Sequence, residues 1–388
     1  MSPAEPLRLV VFLTAGVSLR NWRDWGILER ELALYRELHR AGITTCFVSY
    51  GGSEDARILR EHAPELQVAF NRFGLRRHLY VRLLPWLHHR VMRRAAVIKC
   101  NQADGGEVAL RAARIHRKPF VARTGFGWAR TLETKLPADA WEIGYARRVE
   151  ADLAAGCARW IVTTEALALA LRDTHAGLGD RVVVVPNFVD TSLFKPATEA
   201  PDIDLLWIGR LEDEKRPALF LEAAARLVGR PRVAVIGHGV DATALRHQAE
   251  QAGLDVRWTG NLPTRKVAEW MRRSAVCVST SRYEGHPKSV IEAMACGLAV
   301  LVVDTPGLRD AVDPDRTGLR CNDTPDALAD AMRFLLDSPA ERRRLGAAAA
   351  EDAATRFSLP RIAAREASIL REAAASPATA DISSPPGR

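Results

Sequence analysis

The sequence lacks the features of membrane-spanning proteins, of secreted proteins and of proteins stabilised by disulfides or structural zinc. No apolar run reaches 18 residues, so no transmembrane helix is expected. Residues 1–6 have neither the basic nor the apolar region of a signal peptide. The six cysteines are scattered, without a C-x-x-C pair, at Cys46, Cys100, Cys157, Cys277, Cys296 and Cys321. This spacing argues against a structural zinc site or a disulfide framework and favours a reducing, cytoplasmic compartment.

The length and composition predict two globular domains. A chain of 388 residues exceeds what one ordinary hydrophobic core organises. Its 47% hydrophobic and 26% charged content is that of a soluble protein. Lys and Arg outnumber Asp and Glu by 29 to 20 in residues 1–195, whereas residues 196–388 carry 26 against 27. The positive charge therefore belongs to the first half, which favours nucleic acid, an anionic membrane or an anionic substrate as a partner.

Residues 66–103 contain no acidic side chain at all. Their cations are Arg72, Arg76, Arg77, Arg82, Arg90, Arg93, Arg94 and Lys99, and leucines recur among them at helical spacing. Pro85 is expected to kink or divide this amphipathic segment. Two interpretations remain open: residues 72–99 contact an anionic membrane, or they pack on their own domain and expose an arginine face.

Polar residues follow several predicted strands of the first half. A strand at 9–13 leads to a loop with Gly16, a helix at 26–40 and a strand at 44–50. Further strands at 95–99 and 120–122 are followed by Asn101 and Gln102 and by Arg123. Loops at the carboxyl ends of parallel strands form the site of an open α/β sheet. Asn101, Gln102 and Arg123 are therefore the candidate acceptor-binding residues.

In the second half, a buried strand at 204–208 runs directly into Gly209 and Arg210, followed by Lys215. Pro217 then stands at the first position of a helix. Two cations between a strand end and a helix N-terminus suit a diphosphate, because the free N–H groups and the helix dipole also favour anions.

A βαβ unit follows, with strands at 275–279 and 299–303 around a helix that opens near Pro287 and closes at Gly297. Glu284 lies in the loop and Glu292 lies in the helix among apolar neighbours. A buried carboxylate needs hydrogen-bond partners, so Glu292 is expected to have a specific role.

The motif E-G-x-P-x-S-x-x-E-A-M-A-x-G, residues 284–297, resembles the E-x7-E signature of the family-4 retaining glycosyltransferases, which have the GT-B fold. The resemblance implies that Glu284 lies by the donor sugar and that Glu292 binds the donor ribose. It also implies that the backbone between them faces sugar and phosphate, and that Arg210 and Lys215, after Gly209, clamp the diphosphate. The first five of the seven intervening residues, which the resemblance assigns to donor binding, are Gly285, His286, Pro287, Lys288 and Ser289. Gly16 corresponds to a phosphate-facing glycine of the family's first loop.

The family resemblance also predicts the organisation of the chain. P-N-x-V-D-x-x-x-F at 186–194 is similar to the family's interdomain connection, which places the boundary near Lys195. We therefore expect an acceptor-side domain at 1–195, a donor domain at 196–357, a helix at about 358–374 that crosses back to the first domain, and a disordered tail at 375–388. The predicted fold class is α/β GT-B, with two facing doubly wound, Rossmann-like domains and the site in the cleft between them.

Residues 237–242 formally match the dinucleotide fingerprint G-x-G-x-x-A, so nicotinamide chemistry was weighed as an alternative. That fingerprint requires an acidic residue at the end of the next strand, whereas Asp255 precedes the strand at 256–258. The resembling family has a similar loop beside the nucleotide, with Gly237 at this position. Asn261 and Leu262 follow the next strand, where family members lay the base against the backbone.

The predicted reaction is transfer of a sugar from a UDP- or GDP-linked donor to a sugar or lipid-linked sugar, in polysaccharide, lipopolysaccharide or glycolipid assembly. Arg210, Lys215 and Glu284 are the predicted catalytic residues. No metal or other cofactor is expected, because Asp202 and Asp204 precede their strand and so do not form a D-x-D site after it. Two departures from the family are the absence of His in residues 123–128 and Asp310 in place of the usual Glu.

Two rival functions remain open. One is a GT-B sugar-nucleotide epimerase, and the other is a non-catalytic basic module with a vestigial nucleotide fold. Nucleic acid is not expected as a partner, because residues 72–99 offer few aromatic side chains that could stack on bases. The predicted location is the cytoplasm, peripheral to the inner face of the membrane through residues 72–99.

Overall fold

Two separate units make up the computed structural model, which describes residues 6–197 and 199–376. Unit 1 is the chain up to Pro186 together with the chain from Ile362, and unit 2 is Asn187–Arg361. The sequence placed the corresponding boundaries near Lys195 and at about residue 358. Every strand pairing in the described residues is parallel.

The sheet of unit 1 has seven strands in the described residues, in the order β3-β2-β1-β4-β5-β6-β7. They are β1 (Leu7–Phe12), β2 (Ile43–Val48), β3 (Gln67–Ala69), β4 (Val97–Cys100), β5 (Phe120–Thr124), β6 (Arg159–Val162) and β7 (Val182–Val184). The strand order reverses between β1 and β4. In an open parallel sheet this reversal is the point where ligands bind, because the loops after the two strands diverge there.

Helices cover the sheet of unit 1. They are α1 (Leu19–Asp24), α2 (Leu28–Arg40), α3 (Ser53–His62), α4 (Arg77–Leu87), α5 (His89–Arg94), α6 (Gly106–His116), α7 (Trp128–Lys135), α8 (Trp141–Gly156) and α9 (Glu165–Thr174). Pro85 lies inside α4, which ends two residues later, and α5 follows after a single residue. The proline thus sits at the division of the basic segment, as its missing N–H predicts.

The basic segment exposes only part of its apolar surface. Tyr80 and Leu84 are buried in the core of unit 1, whereas Leu79, Leu83 and Trp86 are exposed. The leucines of α4 therefore divide between a buried and an exposed side of the helix. The exposed residues follow a spacing of four and three, which places them on one face of the helix.

The sheet of unit 2 has six strands in the described residues, in the order β10-β9-β8-β11-β12-β13, with its reversal between β8 and β11. They are β8 (Ile203–Ile208), β9 (Val233–Ile236), β10 (Val256–Gly260), β11 (Ser274–Ser279), β12 (Ala299–Val303) and β13 (Leu319–Cys321). The helices are α10 (Pro217–Ala225), α11 (Ala242–Gln251), α12 (Thr264–Arg272), α13 (Lys288–Ala295), α14 (Leu308–Ala311), α15 (Pro325–Asp337) and α16 (Pro339–Phe357). All five residues of β12 are buried, as its unbroken apolar run predicts.

Helix α17 (Leu359–Ala374) begins at the end of unit 2 and belongs mostly to unit 1. Within unit 1, Glu366 of α17 forms an ion pair with Lys99 of β4. Both side chains are almost completely buried, at 1% and 0% exposure. This buried ion pair links α17 to the sheet. Its two residues are 267 positions apart in the chain, so no local sequence pattern predicts the contact.

All six cysteines are free thiols. Across residues 6–197 and 199–376, no helix combines the length and apolar character that a bilayer span requires. Over the same range, no group of three His, Cys, Asp or Glu side chains is arranged to hold a metal ion. Most of the predicted disordered tail, from residue 377 onward, lies outside the described residues.

Candidate active site

The loops after β8, β9 and β10 contact one another at the carboxyl edge of the unit 2 sheet. The N–H of Gly209 donates to Ile236 O over 3.1 Å, and that of Gly237 donates to Gly260 O over 3.0 Å. A Cβ on Gly237 would lie 1.8 Å from the carbonyl oxygen of Gly209, so only glycine fits there. The G-x-G match therefore reflects close packing between two loops.

Lys215 and Glu284 meet at this edge. The ammonium nitrogen of Lys215 donates to Oε1 of Glu284 over 2.6 Å, although the two residues come from the loops after β8 and β11. The hydroxyl of Ser281 donates to the same carboxylate oxygen over 2.8 Å. Both side chains of the ion pair are mostly buried, at 16% and 19% exposure, so the geometry is shielded from solvent.

Arg210, the other predicted clamp cation, is more exposed and has its own carboxylate partners. Its guanidinium donates to Glu212 over 2.7 Å and to Glu214 over 3.3 Å. Glu214 also lies 3.4 Å from the ammonium of Lys215, and so joins the two cations. The structure thus brings Arg210, Lys215 and Glu284 into one charged network.

Hydroxyl groups that sequence reasoning missed hold this network in place. The hydroxyl of Thr280 accepts from the indole N–H of Trp207 over 3.0 Å. It lies 2.8 Å and 2.9 Å from the carbonyl oxygens of Lys215 and Arg216, to one of which it donates. The hydroxyl of Thr305 donates to Ser281 O over 2.7 Å. The run Ser279-Thr280-Ser281 at the end of β11 was the available signal, since polar residues at strand ends line such sites.

Arg216 follows Lys215 and connects its loop to the neighbouring strands. It adopts a left-handed backbone conformation, with φ of 49°, which strongly favours glycine. Its side chain donates to Thr280 O over 2.7 Å and to Asp323 over 2.8 Å. These contacts connect the loop that carries Lys215 to the ends of β11 and β13.

Glu292 lies in α13 with only 3% of its surface exposed. Its charge reaches two buried thiols. Burial, with a smaller contribution from the charge of Glu292, raises the pKa of Cys277 to about 12. Burial likewise raises the pKa of Cys296 to about 12, again with a contribution from Glu292. The carboxylate is therefore buried in the protein interior, as its apolar neighbours in the sequence predict.

The residues between the two glutamates form a compact loop. The carbonyl of His286 accepts from Asn187 Nδ2 over 2.7 Å, and its ring packs edge-to-face on Phe357 at 4.9 Å between centroids. Burial, with smaller contributions from the charges of Arg356 and Lys288, lowers the pKa of His286 to about 4. Gly285 and Pro287 complete the loop, and Lys288 and Ser289 are the first two residues of α13.

The remaining predicted residues of unit 2 lie at the end of β10. Asn261 is exposed, whereas Leu262 is half-buried and packs against the core of unit 2. Gly260 precedes them with φ of 69°. The chain thus turns sharply where the sequence predicted contact with the base.

The predicted residues of unit 1 lie at the carboxyl edge of its own sheet. The backbone N–H of Asn101 donates to Phe12 O over 2.8 Å. The side-chain oxygen of Gln102 accepts from the backbone N–H of Gly125 over 3.0 Å. Arg123 is the fourth residue of β5, and Gly16 follows β1 with φ of 76°. Gln102 therefore joins the loops after β4 and β5.

Two family profiles match the chain in succession. Residues 189–352 match the profile described as glycosyl transferases group 1. Residues 32–193 match the profile described as glycosyltransferase family 4.

Similar proteins include an alpha-maltose-1-phosphate synthase of Mycolicibacterium smegmatis, 32% identical over 50% of this chain and 58% of that protein. A D-inositol 3-phosphate glycosyltransferase of Frankia alni is 33% identical over 66% of this chain and 70% of that protein. The chain spans between 51% and 70% of the length of the curated relatives it matches.

Solved structures match nearly the whole chain. Anabaena HepE in complex with UDP covers 94% of this chain and 100% of its own, with a TM-score of 0.76 and 18% identity. Sucrose-phosphate synthase of Thermosynechococcus elongatus covers 94% and 98%, with a TM-score of 0.79 and 19% identity. At these identities the likeness concerns the fold, which is GT-B.

Proposed function

Because the chain belongs to family 4 of the group 1 glycosyltransferases, we propose that it moves a sugar from a nucleotide-diphosphate donor to an acceptor hydroxyl, with retention of configuration and without a metal ion. The contact between Lys215 and Glu284 carries this proposal. A cation suited to phosphate and a carboxylate suited to sugar hydroxyls lie one hydrogen bond apart, as the two halves of one donor require.

In the proposed reaction, the bond between the sugar C1 and the β-phosphate oxygen breaks, and its electron pair remains on the phosphate. Arg210 and Lys215 stabilise the charge that develops there. A bond from C1 to the acceptor oxygen forms on the same face of the sugar, and the acceptor proton passes to the departing phosphate oxygen. Glu284 orients the sugar in this step, together with the backbone of residues 285–289.

The rest of unit 2 would bind the nucleotide. Glu292 holds the ribose, and the backbone at Gly237, Asn261 and Leu262 lies against the nucleoside. The donor is proposed to be a UDP- or GDP-linked sugar. Uridine donors come first in the test, because the Anabaena relative was solved with UDP.

The acceptor is proposed to be a sugar or a lipid-linked sugar in polysaccharide, lipopolysaccharide or glycolipid assembly. A relative named for D-inositol 3-phosphate adds a phosphorylated cyclitol to the acceptors worth testing.

We also propose that the protein is cytoplasmic and binds the anionic inner face of the membrane through a surface of basic and apolar side chains from α4, α5 and the residues that lead into α4. This surface consists of the exposed residues Arg72, Phe73, Arg76, Leu79, Arg82, Leu83, Trp86, Arg90, Arg93 and Arg94. Each cation near an anionic leaflet contributes about 1 kcal/mol, and the apolar side chains can enter the interface.

Liposome co-sedimentation tests the membrane proposal. Binding should require anionic lipid and weaken at high salt, and Arg90, Arg93 and Arg94 changed together to Ala should reduce it. Changing Leu83 and Trp86 to Ser should weaken binding even at low salt. Binding that ignored lipid charge, or no binding, would assign the surface to another role.

Two rival functions give different results in simple assays. An epimerase would convert the sugar nucleotide without any acceptor, which product analysis detects. A basic binding module would bind arbitrary oligonucleotides in a salt-dependent way and would not bind sugar nucleotides.

A thermal-shift panel of nucleoside diphosphates tests the proposed function first. A ligand at 100 times its dissociation constant stabilises the folded protein by about 2.7 kcal/mol, which raises the melting temperature measurably. Transfer should then be assayed with and without EDTA, and the anomeric configuration of the product read by NMR. The absence of any nucleoside-diphosphate shift, a strict metal requirement, or an inverted product would each contradict the corresponding part of the proposal.

A further inference from the structure

Three loops converge at the carboxyl edge of the unit 1 sheet, where its strand order reverses. The amide of Ala15, after β1, donates to Asp104 O over 3.3 Å, after β4. The amide of Tyr50, after β2, donates to Val17 O over 3.3 Å. A Cβ on Gly105 would lie 2.8 Å from the backbone nitrogen of Ala15, so these loops are in direct contact.

Two polar atoms are buried at this convergence without a hydrogen-bond partner among the described residues. They are the phenol oxygen of Tyr50 and Oε2 of Glu107, in the first turn of α6. The other carboxylate oxygen of Glu107 accepts from the phenol of Tyr145 over 3.1 Å, which fixes the orientation of the carboxylate. Most buried polar groups in proteins are paired, because an unpaired one costs about 1–3 kcal/mol.

The buried groups at this convergence also influence one another electrostatically. Burial raises the pKa of Tyr50, and the nearby carboxylate of Glu107 raises it further, whereas Arg77 opposes the shift. Burial also raises the pKa of Asp104, again with Glu107 adding and Arg77 opposing. Arg77 thus supplies one positive charge against the two carboxylates, and its guanidinium lies beside the Gly16 loop.

Aromatic rings border the same cluster. The ring of Tyr145 packs edge-to-face on Trp128 at 5.9 Å and lies 6.1 Å from the ring of Trp141. Trp141 is 72% exposed, which is unusual for so large an apolar side chain. The C–H faces of a sugar or cyclitol ring carry partial positive charge and so match the negative face of an aromatic ring.

We infer that Tyr50 and Glu107 bind the acceptor, and that the part of the acceptor held there is a neutral polyol ring, either a sugar or a cyclitol. One ring hydroxyl donates to Oε2 of Glu107, a second pairs with the phenol of Tyr50, and the ring packs beside Tyr145 and Trp141. The two carboxylates, Asp104 and Glu107, disfavour a phosphate at this position. The inference rests on the proposed function and adds Tyr50 and Glu107 to Asn101, Gln102 and Arg123 as proposed acceptor-binding residues.

The variants Glu107→Gln and Tyr50→Phe test this inference in the full-length protein. With the nucleoside diphosphate saturating, binding of myo-inositol, glucose and mannose is measured by saturation-transfer NMR. Glu107→Gln should weaken the binding of the polyol that the wild type binds by about 10- to 100-fold, since a hydrogen bond to a charged group is lost, and Tyr50→Phe by about 2- to 10-fold. Glu61→Gln, an exposed glutamate of α3, is the matched control and should change nothing.

Two further readouts separate binding from folding. Tyr50→Phe should leave the melting temperature unchanged or raise it, because its hydroxyl has no partner to lose. Tyr80→Phe should lower it, because that hydroxyl donates to Ser49 O over 3.0 Å. Affinity for the nucleoside diphosphate should be the same in all these variants, because it depends on unit 2.

The failures are distinguishable. No polyol bound by the wild type, unchanged polyol affinity in both variants, or a destabilised Tyr50→Phe would each overturn the assignment of this acceptor site. Tighter binding of D-inositol 3-phosphate to Glu107→Gln than to the wild type would overturn the neutral ring, because it would place the phosphate beside Glu107. Loss of nucleoside-diphosphate binding in the wild type would instead remove the proposed function itself.

Discussion

The ammonium of Lys215 donates to the carboxylate of Glu284 over 2.6 Å, across 69 residues of intervening sequence. This contact joins the two motifs that the sequence singled out in unit 2. A lysine has three N–H donors, and Glu214 lies near the same ammonium at 3.4 Å. The position of Lys215 is therefore held by carboxylates on two loops.

Removal of the clamp cations should slow transfer without unfolding the protein. Lys215→Ala and Arg210→Ala are each expected to lower kcat by about 10²–10³-fold, which is the usual effect of losing one donor to a charge that develops in the transition state. Lys266→Ala, which removes an exposed lysine of α12, is the control. Near-normal turnover in the double variant Arg210→Ala/Lys215→Ala would show that the clamp lies elsewhere.

Substitution of Glu284 and of Glu292 should affect different steps of the reaction. Glu292→Gln is expected to weaken nucleoside-diphosphate binding by about 10- to 100-fold, because a carboxamide satisfies two ribose hydroxyls less well than a carboxylate. Glu284→Gln should instead lower transfer and leave that affinity close to the wild-type value. Calorimetric titration of both variants measures the difference, and an unchanged affinity in Glu292→Gln would contradict the ribose role.

Arg216 allows its backbone and its side chain to be tested separately. Arg216→Ala loses the guanidinium contacts and keeps the unfavourable left-handed conformation, whereas Arg216→Gly loses the contacts and relieves the backbone. Both should lower kcat by about tenfold if the side chain positions the Lys215 loop, but the glycine variant should be more stable than the alanine variant by about 1 kcal/mol. Denaturant unfolding and kcat are measured together. Wild-type kcat in Arg216→Gly would leave the side chain with no positioning role.

Removal of one partner of the buried pair Lys99 and Glu366 should destabilise the protein far more than replacement of both. Lys99→Met or Glu366→Leu alone leaves one buried charge without its partner and should reduce the free energy of unfolding by about 3–5 kcal/mol. The double variant should lie within about 1–2 kcal/mol of wild type, because the desolvation cost of both charges is removed. A double-mutant cycle by urea denaturation checks this, and equal losses in the single and double variants would contradict it.

Acidification should destabilise unit 2 through His286. Its folded pKa of about 4 lies below the ordinary value of 6.5, so the neutral ring is favoured in the folded state. Its contribution is complete above pH 6.5 and is lost as the pH falls toward 4, reaching a loss of about 2 kcal/mol near pH 5. Urea denaturation at pH 5 and pH 7.5 should show a smaller difference for His286→Phe than for wild type. An equal difference in both proteins would remove His286 as the cause.

Much of unit 2 was predictable because its motifs are local. The strand at 275–279, the loop with Glu284, the helix with Glu292 and the strand at 299–303 all correspond to β11, α13 and β12. A buried parallel strand is indicated by an apolar run, and a helix by its N-terminal residues and a glycine after its last turn. These signals lie within a few residues of the element that they predict.

The basic segment of unit 1 was predictable in composition but not in orientation. Its arginines and leucines indicated an amphipathic helix, yet which leucines face the core depends on the angle at which α4 packs. Leu84 is buried and Leu83 is exposed, although they are neighbours in the sequence.

The sequence by itself determined the strands, the helix ends, the E-x7-E motif and the family, because each depends on the order of nearby residues. The tertiary structure alone decided which distant groups meet: Lys215 with Glu284, Lys99 with Glu366, and Tyr145 with Glu107. Parallel strands bring the loops at their carboxyl ends together regardless of separation in the chain, and the order of strands in the sheet selects which loops become neighbours. Side-chain contacts follow from that order, and no local pattern encodes them.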